Sequence, residues 1–242
     1  MAACTSNKNI IYLSDLQNAD SLLQLQTANK YLIRTSDILY VNIISINKEI
    51  NDLYNVSSAN SAMWNSETSL FVNGYSVDLE GNIALPVIGK VNVKGLTIFE
   101  ARSKIQEKVD QTLTNASVFV KLVSFKVTVL GEVNFPGVKT INKDCINIFE
   151  VLGMAGDITS MGDKRNVLLI RQTENGTLHY SLDLTKKETL TGDHLYLMPN
   201  DILYINPVKA YAFQANGPSI SIVLSFLSAT VSIVTLTTLL LR

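Results

Sequence analysis

The chain has 242 residues, and its 20 basic and 21 acidic side chains nearly cancel, leaving a net charge of −1. No Lys/Arg run offers the cations that phosphate backbones need, so nucleic-acid binding is excluded, and the mixed charge argues against electrostatic capture of a strongly charged partner. Two cysteines cannot make a disulfide framework, and the length allows one large domain or two small ones.

At the N-terminus, Met1-Ala2-Ala3-Cys4 resembles the end of a bacterial lipoprotein signal, in which small residues precede a cysteine that becomes lipidated. The charged and apolar parts of such a signal do not precede it here, and the alternative is a short exposed N-terminal cysteine. Residues 7–30 are rich in Asn and Gln and read as a lead-in. Residues 31–43 alternate apolar and polar after a Ser36-Asp37 turn, which predicts a strand. Residues 51–69 hold four Asn, five Ser and no Lys or Arg, which predicts a loop with Trp64 as its one large apolar residue. That Trp is either a local packing anchor or a surface on which a sugar could stack.

Val77, Leu79, Ile83 and Leu85 alternate around Glu80-Gly81-Asn82, which predicts a hairpin turning at Gly81. Thr97 and Glu100 have capping-box spacing. Ile98, Ala101, Ile105, Val109 and Leu113 then form one face of a helix. Residues 116–133 read as one long alternating strand run. A second unit repeats the plan: a strand over 127–131, a turn at Asn134-Phe135-Pro136-Gly137, and a short strand over 138–141. A helix capped by Asp144 follows, carrying Ile146, Phe149 and Leu152, with Cys145 expected as a small buried hydrophobe. Asn175-Gly176 is the best hairpin signal in the chain. The segment Asp201-Ile202-Leu203-Tyr204-Ile205-Asn206 echoes Asp37-Ile38-Leu39-Tyr40-Val41-Asn42, five identities in six, and points to two related turn–strand units. The fold class is therefore α+β: two small mixed modules, each with one main helix.

The chain closes on residues 219–241, thirteen of which are Ile, Val, Leu or Phe, and no charged residue occurs from 210 to 241. As a helix this stretch would measure about 34 Å, against a hydrocarbon core of roughly 30 Å, so a membrane-spanning helix over 218–242 is expected. Gly217-Pro218 supplies a break before it, Tyr211 and Phe213 suit the interface, and Arg242 can reach water beyond it. Ser221, Ser225, Ser228, Ser232 and Thr235 fall within roughly 40° of one line on that helix. Such a stripe serves close helix packing or a water-filled lumen. Alternatively, these hydroxyls bond back to their own helix in a simple anchor. A thinner line of Ser219, Thr230 and Thr237 lies on the other face.

No phosphate loop, dinucleotide fingerprint, nucleophile elbow or zincin motif occurs. His179 and His194 are the only histidines; Asp193-His194 reads better as a surface turn than as an acid/base pair, and no zinc spacing is present. Paired carboxylates of a glycosidase type are not singled out. The expectation is a non-enzyme with no cofactor and no metal.

Two motifs carry a family resemblance. The first runs Asp78-Leu79-Glu80-Gly81-Asn82-Ile83-Ala84-Leu85-Pro86-Val87-Ile88-Gly89, then Gly95-Leu96-Thr97, with Ser36-Asp37-Ile38-Leu39 ahead of it. It resembles the core of the polysaccharide export domain, except that the family's Gly before the Asp is Ser36. The second, Leu130-Gly131-Glu132-Val133-Asn134-Phe135-Pro136-Gly137 with Ala155-Gly156-Asp157, is similar to the soluble-ligand-binding β-grasp (SLBB) module, with Asp157 in place of a third-position Gly. The motif positions are Asp37, Gly81, Pro86, Gly89, Gly131, Pro136, Gly137 and Gly156. The resemblance divides the chain into a lipidated lead-in (1–30), an export domain (31–126), an SLBB domain (127–208) and the terminal helix (218–242).

It implies an outer-membrane lipoprotein that exports capsular or secreted polysaccharide without chemistry. Cys4 would carry the lipid, and the soluble domains would lie in the periplasm as a ring, often of eight copies. The C-terminal helices would form a barrel through the outer membrane, with Ser221, Ser225, Ser228, Ser232 and Thr235 on lumen or helix interfaces and the C-terminus towards the cell surface. Implied partners are the polymer, outer-membrane lipid and an inner-membrane polysaccharide copolymerase, which would have to reach towards a shallow ring. The competing expectation is a membrane-anchored periplasmic polysaccharide-binding module that forms no pore.

Overall fold

Leu39, Val41 and Ile43 alternate with outward residues along strand β1 (Ile38–Ile44), and this single-sided burial fixes its face. The computed structural model describes residues 11–16, 31–46, 51, 53–55, 73–173, 176–208 and 220–240, with side chains of the last stretch at 224–239. Strand β1 is central in a three-stranded antiparallel sheet, between β2 (Tyr75–Ser76) and β5 (Ser117–Leu122). The hairpin of β3 (Asn82–Leu85) and β4 (Gly89–Asn92) and helix α1 (Ile98–Asp110) close over the inner face. Ile83, Leu85 and Val91 meet Ala101, Ile105 and Val109 in this first core. The Thr97–Glu100 capping box forms as expected, each side chain bonding the other residue's backbone N–H.

A second core lies under a five-stranded sheet ordered β10-β9-β12-β6-β7: Gly176–Leu182, Gly162–Thr173, Ile202–Pro207, Lys126–Gly131 and Gly137–Thr140. Strands β6 and β12 run parallel, and the other pairs are antiparallel. Val127, Val129, Val167, Leu169, Leu203 and Ile205 face inward onto Ile148, Val151 and Leu152 of helix α2 (Ile148–Met154). A small ladder of β8 (Ile146–Asn147) and β11 (Tyr196–Leu197) and a short helix α3 (Glu188–Thr191) complete this half. The expected hairpin closes at its predicted place: Thr173 pairs with Gly176, and residues 174–175 between them lie outside the described residues.

Four expectations are corrected. The run 116–133 is two strands in different sheets, because Val123-Ser124-Phe125 breaks it and Phe125 turns into the second core. The expected turn around Gly81 forms, closed by Gly81 N–H to the Asp78 carbonyl at 3.0 Å and by Asn82 N–H to Asp78 Oδ1 at 2.7 Å, but the strand paired with Asn82–Leu85 is Gly89–Asn92, and that ladder turns at Pro86-Val87-Ile88. Helix α2 is capped by Asn147 with Glu150, not by Asp144, whose carboxylate takes Lys121 Nζ at 2.8 Å. Cys145 is exposed, because it precedes β8 rather than sitting on a helix face.

At the C-terminus a helix forms over Ile220–Leu240, here α4. The membrane span expected over 218–242 does not follow from it: among the described residues no helix is long and apolar enough to cross a membrane. Ser and Thr interrupt the apolar residues along the whole of α4.

Candidate functional site: motif turns, N-terminal clasp and terminal helix

The echoed segments adopt one turn. Arg34-Thr35-Ser36-Asp37 and Met198-Pro199-Asn200-Asp201 each close by a backbone bond from the Asp N–H to the carbonyl three residues back, at 3.3 and 3.1 Å. Each has a positive φ at the residue before the Asp, +70° at Ser36 and +67° at Asn200. Each Asp carboxylate accepts the N–H three residues back, at 2.8 Å from Arg34 and 2.7 Å from Met198. The sequence repeat is thus a structural repeat. The buried carboxylates then diverge. Asp37 takes the hydroxyls of Tyr31 and Ser124, whereas Asp201 takes Arg171 as a buried ion pair, 2.7 Å from its Nη2. Burial, and next the charge of Asp37, push the Tyr31 phenol well above its usual range.

The motif glycines shape backbone. Gly81 has φ +85°, its carbonyl accepts from Val93 and Lys94, and an added Cβ would meet Lys94 Cβ at 2.5 Å. Pro86 opens the β3–β4 turn and Gly89, φ +81°, begins β4. Gly131, φ +88°, lets β6 approach β12 so closely that a Cβ would stand 2.1 Å from the Ile205 carbonyl oxygen. Pro136-Gly137 leads into β7. The loop from Gly131 meets the 155–157 turn: Asn134 Nδ2 donates to the Gly156 carbonyl at 2.6 Å, and the Phe135 ring lies over Gly156, where no side chain would fit. The structure brings these second-module positions together, and the first-module motif positions shape separate turns; neither set surrounds a chemical centre.

One contact has no signal in the sequence. Residues 11–16, which precede the first module, lie on the second. Leu13 and Ser14 N–H donate to the carbonyls of Leu184 and Thr185 at 3.1 and 2.8 Å, and Asp15 accepts Lys187 N–H at 2.8 Å. Tyr12 packs edge-on against Phe149, lies under Lys164 Nζ and donates its hydroxyl to Asp157. Burial, then that hydrogen bond, raise the Tyr12 phenol well above its ordinary range. Asp157, at φ +73°, also accepts Ile158 N–H at 2.7 Å. The residue that departs from the family glycine is therefore the one that grips the N-terminal segment.

Among the described residues no arrangement for acid–base or nucleophilic work is formed. A shallow groove between the modules is lined by Tyr31, Phe125, Cys145 and Tyr196, with Lys143 and Asp144 at its rim. Both rim charges are engaged, Lys143 by Glu150 and Asp144 by Lys121. His179 is exposed on β10. His194 stacks on Tyr180 at 3.7 Å, and burial, then the positive charge of Arg171, lower its pKa below the ordinary imidazole value. Among the described residues no cluster of His, Cys, Asp and Glu could hold a metal.

On α4, every described side chain is exposed, including Leu224, Phe226, Leu227, Val231, Ile233, Val234, Leu236 and Leu239. The Ser228, Ser232 and Thr235 hydroxyls donate to carbonyls three or four residues back. Thr230 and Thr237 on the opposite face do the same, so hydrogen bonding alone does not set the stripe apart. Ser225 lies on the same line; the Ser221 side chain and Cys4 lie outside the described residues.

Residues 25–123 match the family of polysaccharide biosynthesis/export proteins, and residues 125–205 match the SLBB domain. The chain is 28% identical over 197 residues to the EPS I polysaccharide export outer membrane protein EpsA of Ralstonia nicotianae, covering 78% of this chain and 50% of that protein. It is 26% identical over 198 residues to the protein of the same name from Ralstonia solanacearum, covering 79% and 52%. It thus spans about half the length of the curated relatives it matches. With both motifs in order and both halves matched, residues 25–123 belong to the family of polysaccharide biosynthesis/export proteins and residues 125–205 to the SLBB domains.

Proposed function

We propose that this chain is one subunit of a channel that carries a capsular or secreted polysaccharide across the outer membrane, and that it performs no chemistry. The observation that carries this reading is α4, whose large apolar side chains have no partner to bury them within the described chain. An exposed apolar surface of this kind needs a membrane or other proteins. A lone helix with this many Ser and Thr is a poor span, but one stave of a barrel need not be apolar all round. Lipid takes the Leu, Val, Ile and Phe, while the line of Ser221, Ser225, Ser228, Ser232 and Thr235 faces the lumen or the neighbouring stave. Each helix satisfies its own backbone, so such a barrel is admissible in lipid. Hydroxyls already bonded to their own helix offer a neutral, weakly interacting wall that suits a hydrated sugar polymer.

The division at 31–126 and 127–208 makes the two modules the periplasmic ring, of about eight copies by family resemblance. A lipid on Cys4 would share the anchoring, and an inner-membrane copolymerase would deliver the polymer. The test is Ser228→Arg, which places a charge at mid-helix at roughly 2.5–3.5 kcal/mol. Membrane insertion, assembly and surface polymer should all fall. Normal values of all three would remove the stripe from both lumen and interface.

A further inference from the structure

The outer face of the first sheet carries a quartet set by strand register. Tyr40 lies opposite Lys121 and Asn42 opposite Phe119 across the β1–β5 ladder, and all four point away from the first core. Directly opposed side chains stand about 4.5–5.5 Å apart at Cβ and diagonal ones roughly 7–8 Å. The two rings therefore occupy one diagonal and the amide and ammonium the other. Phe119 is 46% exposed despite its size. Lys121 Nζ lies 5.8 Å from the Phe119 ring centre, and its charge is held by Asp144 at 2.8 Å.

We propose that this quartet is a contact site for a neutral polysaccharide, in which Phe119 and Tyr40 meet the C–H faces of pyranose rings and Asn42 pairs with their hydroxyls. The slightly positive C–H bonds of a sugar suit the negative face of an aromatic ring. A carboxamide offers both donors and an acceptor to vicinal hydroxyls. Asp144 beside Lys121 balances its charge, so the face has no net positive charge to attract a uronate and fits uncharged sugar. The equivalent unit of the second module is different. There Tyr204 lies opposite Leu168 and Leu130, so although Asn206 repeats the place of Asn42, no second ring completes a diagonal with Tyr204. The aromatic diagonal is thus special to the first module.

This inference rests on the export reading, and the experiment separates the two in cells that make the chain's own polymer. The full-length chain is compared with a deletion strain, with the double variant Tyr40→Leu/Phe119→Leu, with Tyr40→Phe/Phe119→Tyr, and with Leu178→Ala on β10. Chain abundance, native mass and surface polymer are measured together. The Leu pair keeps apolar bulk but loses both rings; surface polymer should fall about fivefold or more, the size of roughly one lost aromatic contact, at unchanged abundance and native mass. The ring-retaining pair and Leu178→Ala should export normally. If deletion abolishes surface polymer while the Leu pair exports normally, the quartet is not a glycan contact, although export stands. If the Leu pair loses native mass or abundance, the face belongs to assembly or folding, and the proposal is overturned. If deletion leaves surface polymer unchanged, the export reading itself fails, and the quartet with it.

Discussion

Ser36 and Asp157 both replace a glycine of the family motifs, and both hold positive φ, +70° and +73°. Their effects should differ because only one side chain is used. Ser36→Gly relieves left-handed strain of ~1–2 kcal/mol, partly offset by ~0.4–1 kcal/mol of extra freedom in the unfolded chain. Denaturant unfolding should show a gain of up to about 1.5 kcal/mol, and a loss would mean that the Ser36 side chain has a role of its own. Asp157→Gly removes strain too, but it also removes the acceptor for Tyr12 and Ile158 N–H. It should destabilise and open the N-terminal segment to proteolysis; resistance equal to that of the unaltered chain would refute that role. Gly131→Ala and Gly89→Ala form a matched pair, since both positions have positive φ but only at Gly131 would an added Cβ run into backbone, the Ile205 carbonyl oxygen. Gly89→Ala should lose about 1 kcal/mol from strain and Gly131→Ala at least ~1–3 kcal/mol more from overpacking; equal losses would mean that close strand approach is not what Gly131 provides. Both departures from glycine are visible in the sequence, but not that one of them recruits a tyrosine 145 residues away.

Among the elements, those with local signals were legible. The Thr97–Glu100 box, the Asn175-Gly176 hairpin and the repeated Asp-Ile-Leu-Tyr unit all rest on chemistry within six residues of each other. The misread elements turn on competition. Asn147-x-x-Glu150 outbids Asp144 as a cap because it satisfies two backbone donors at once, and the break at 123–125 is set by the second core rather than by any local breaker. The clasp of residues 11–16 was invisible because its partners lie far along the chain. The second sheet also carries a pH response. His194 packs on Tyr180, and its pKa is depressed by burial and then by Arg171, with Asp193 and Asp201 acting in the opposite direction. The unfolded chain then binds a proton near pH ~6.5 that the folded chain refuses. This contribution to stability is present above that pH and is lost as pH falls through the lower folded value. His194→Phe should flatten the fall in stability that begins below about pH 6.5. Parallel profiles for the two proteins would show that His194 is not the responding group.

For the whole molecule, two cores and a detached helix make different demands. Each module buries its own apolar residues, whereas α4 keeps its large side chains exposed in the single chain. That contrast underlies the channel account, in which the helix completes its structure only with lipid and other copies. Composition and the Ser/Thr line made the helix legible; the partners that the channel account assigns to it would lie in other chains, beyond the reach of one sequence. The direct measurement is the native mass of the full-length protein in mild detergent, beside a form ending at Lys209. The account predicts a large closed oligomer that weakens or disappears when the helix is removed. A monomer in both forms would contradict it and favour an anchored polysaccharide-binding module.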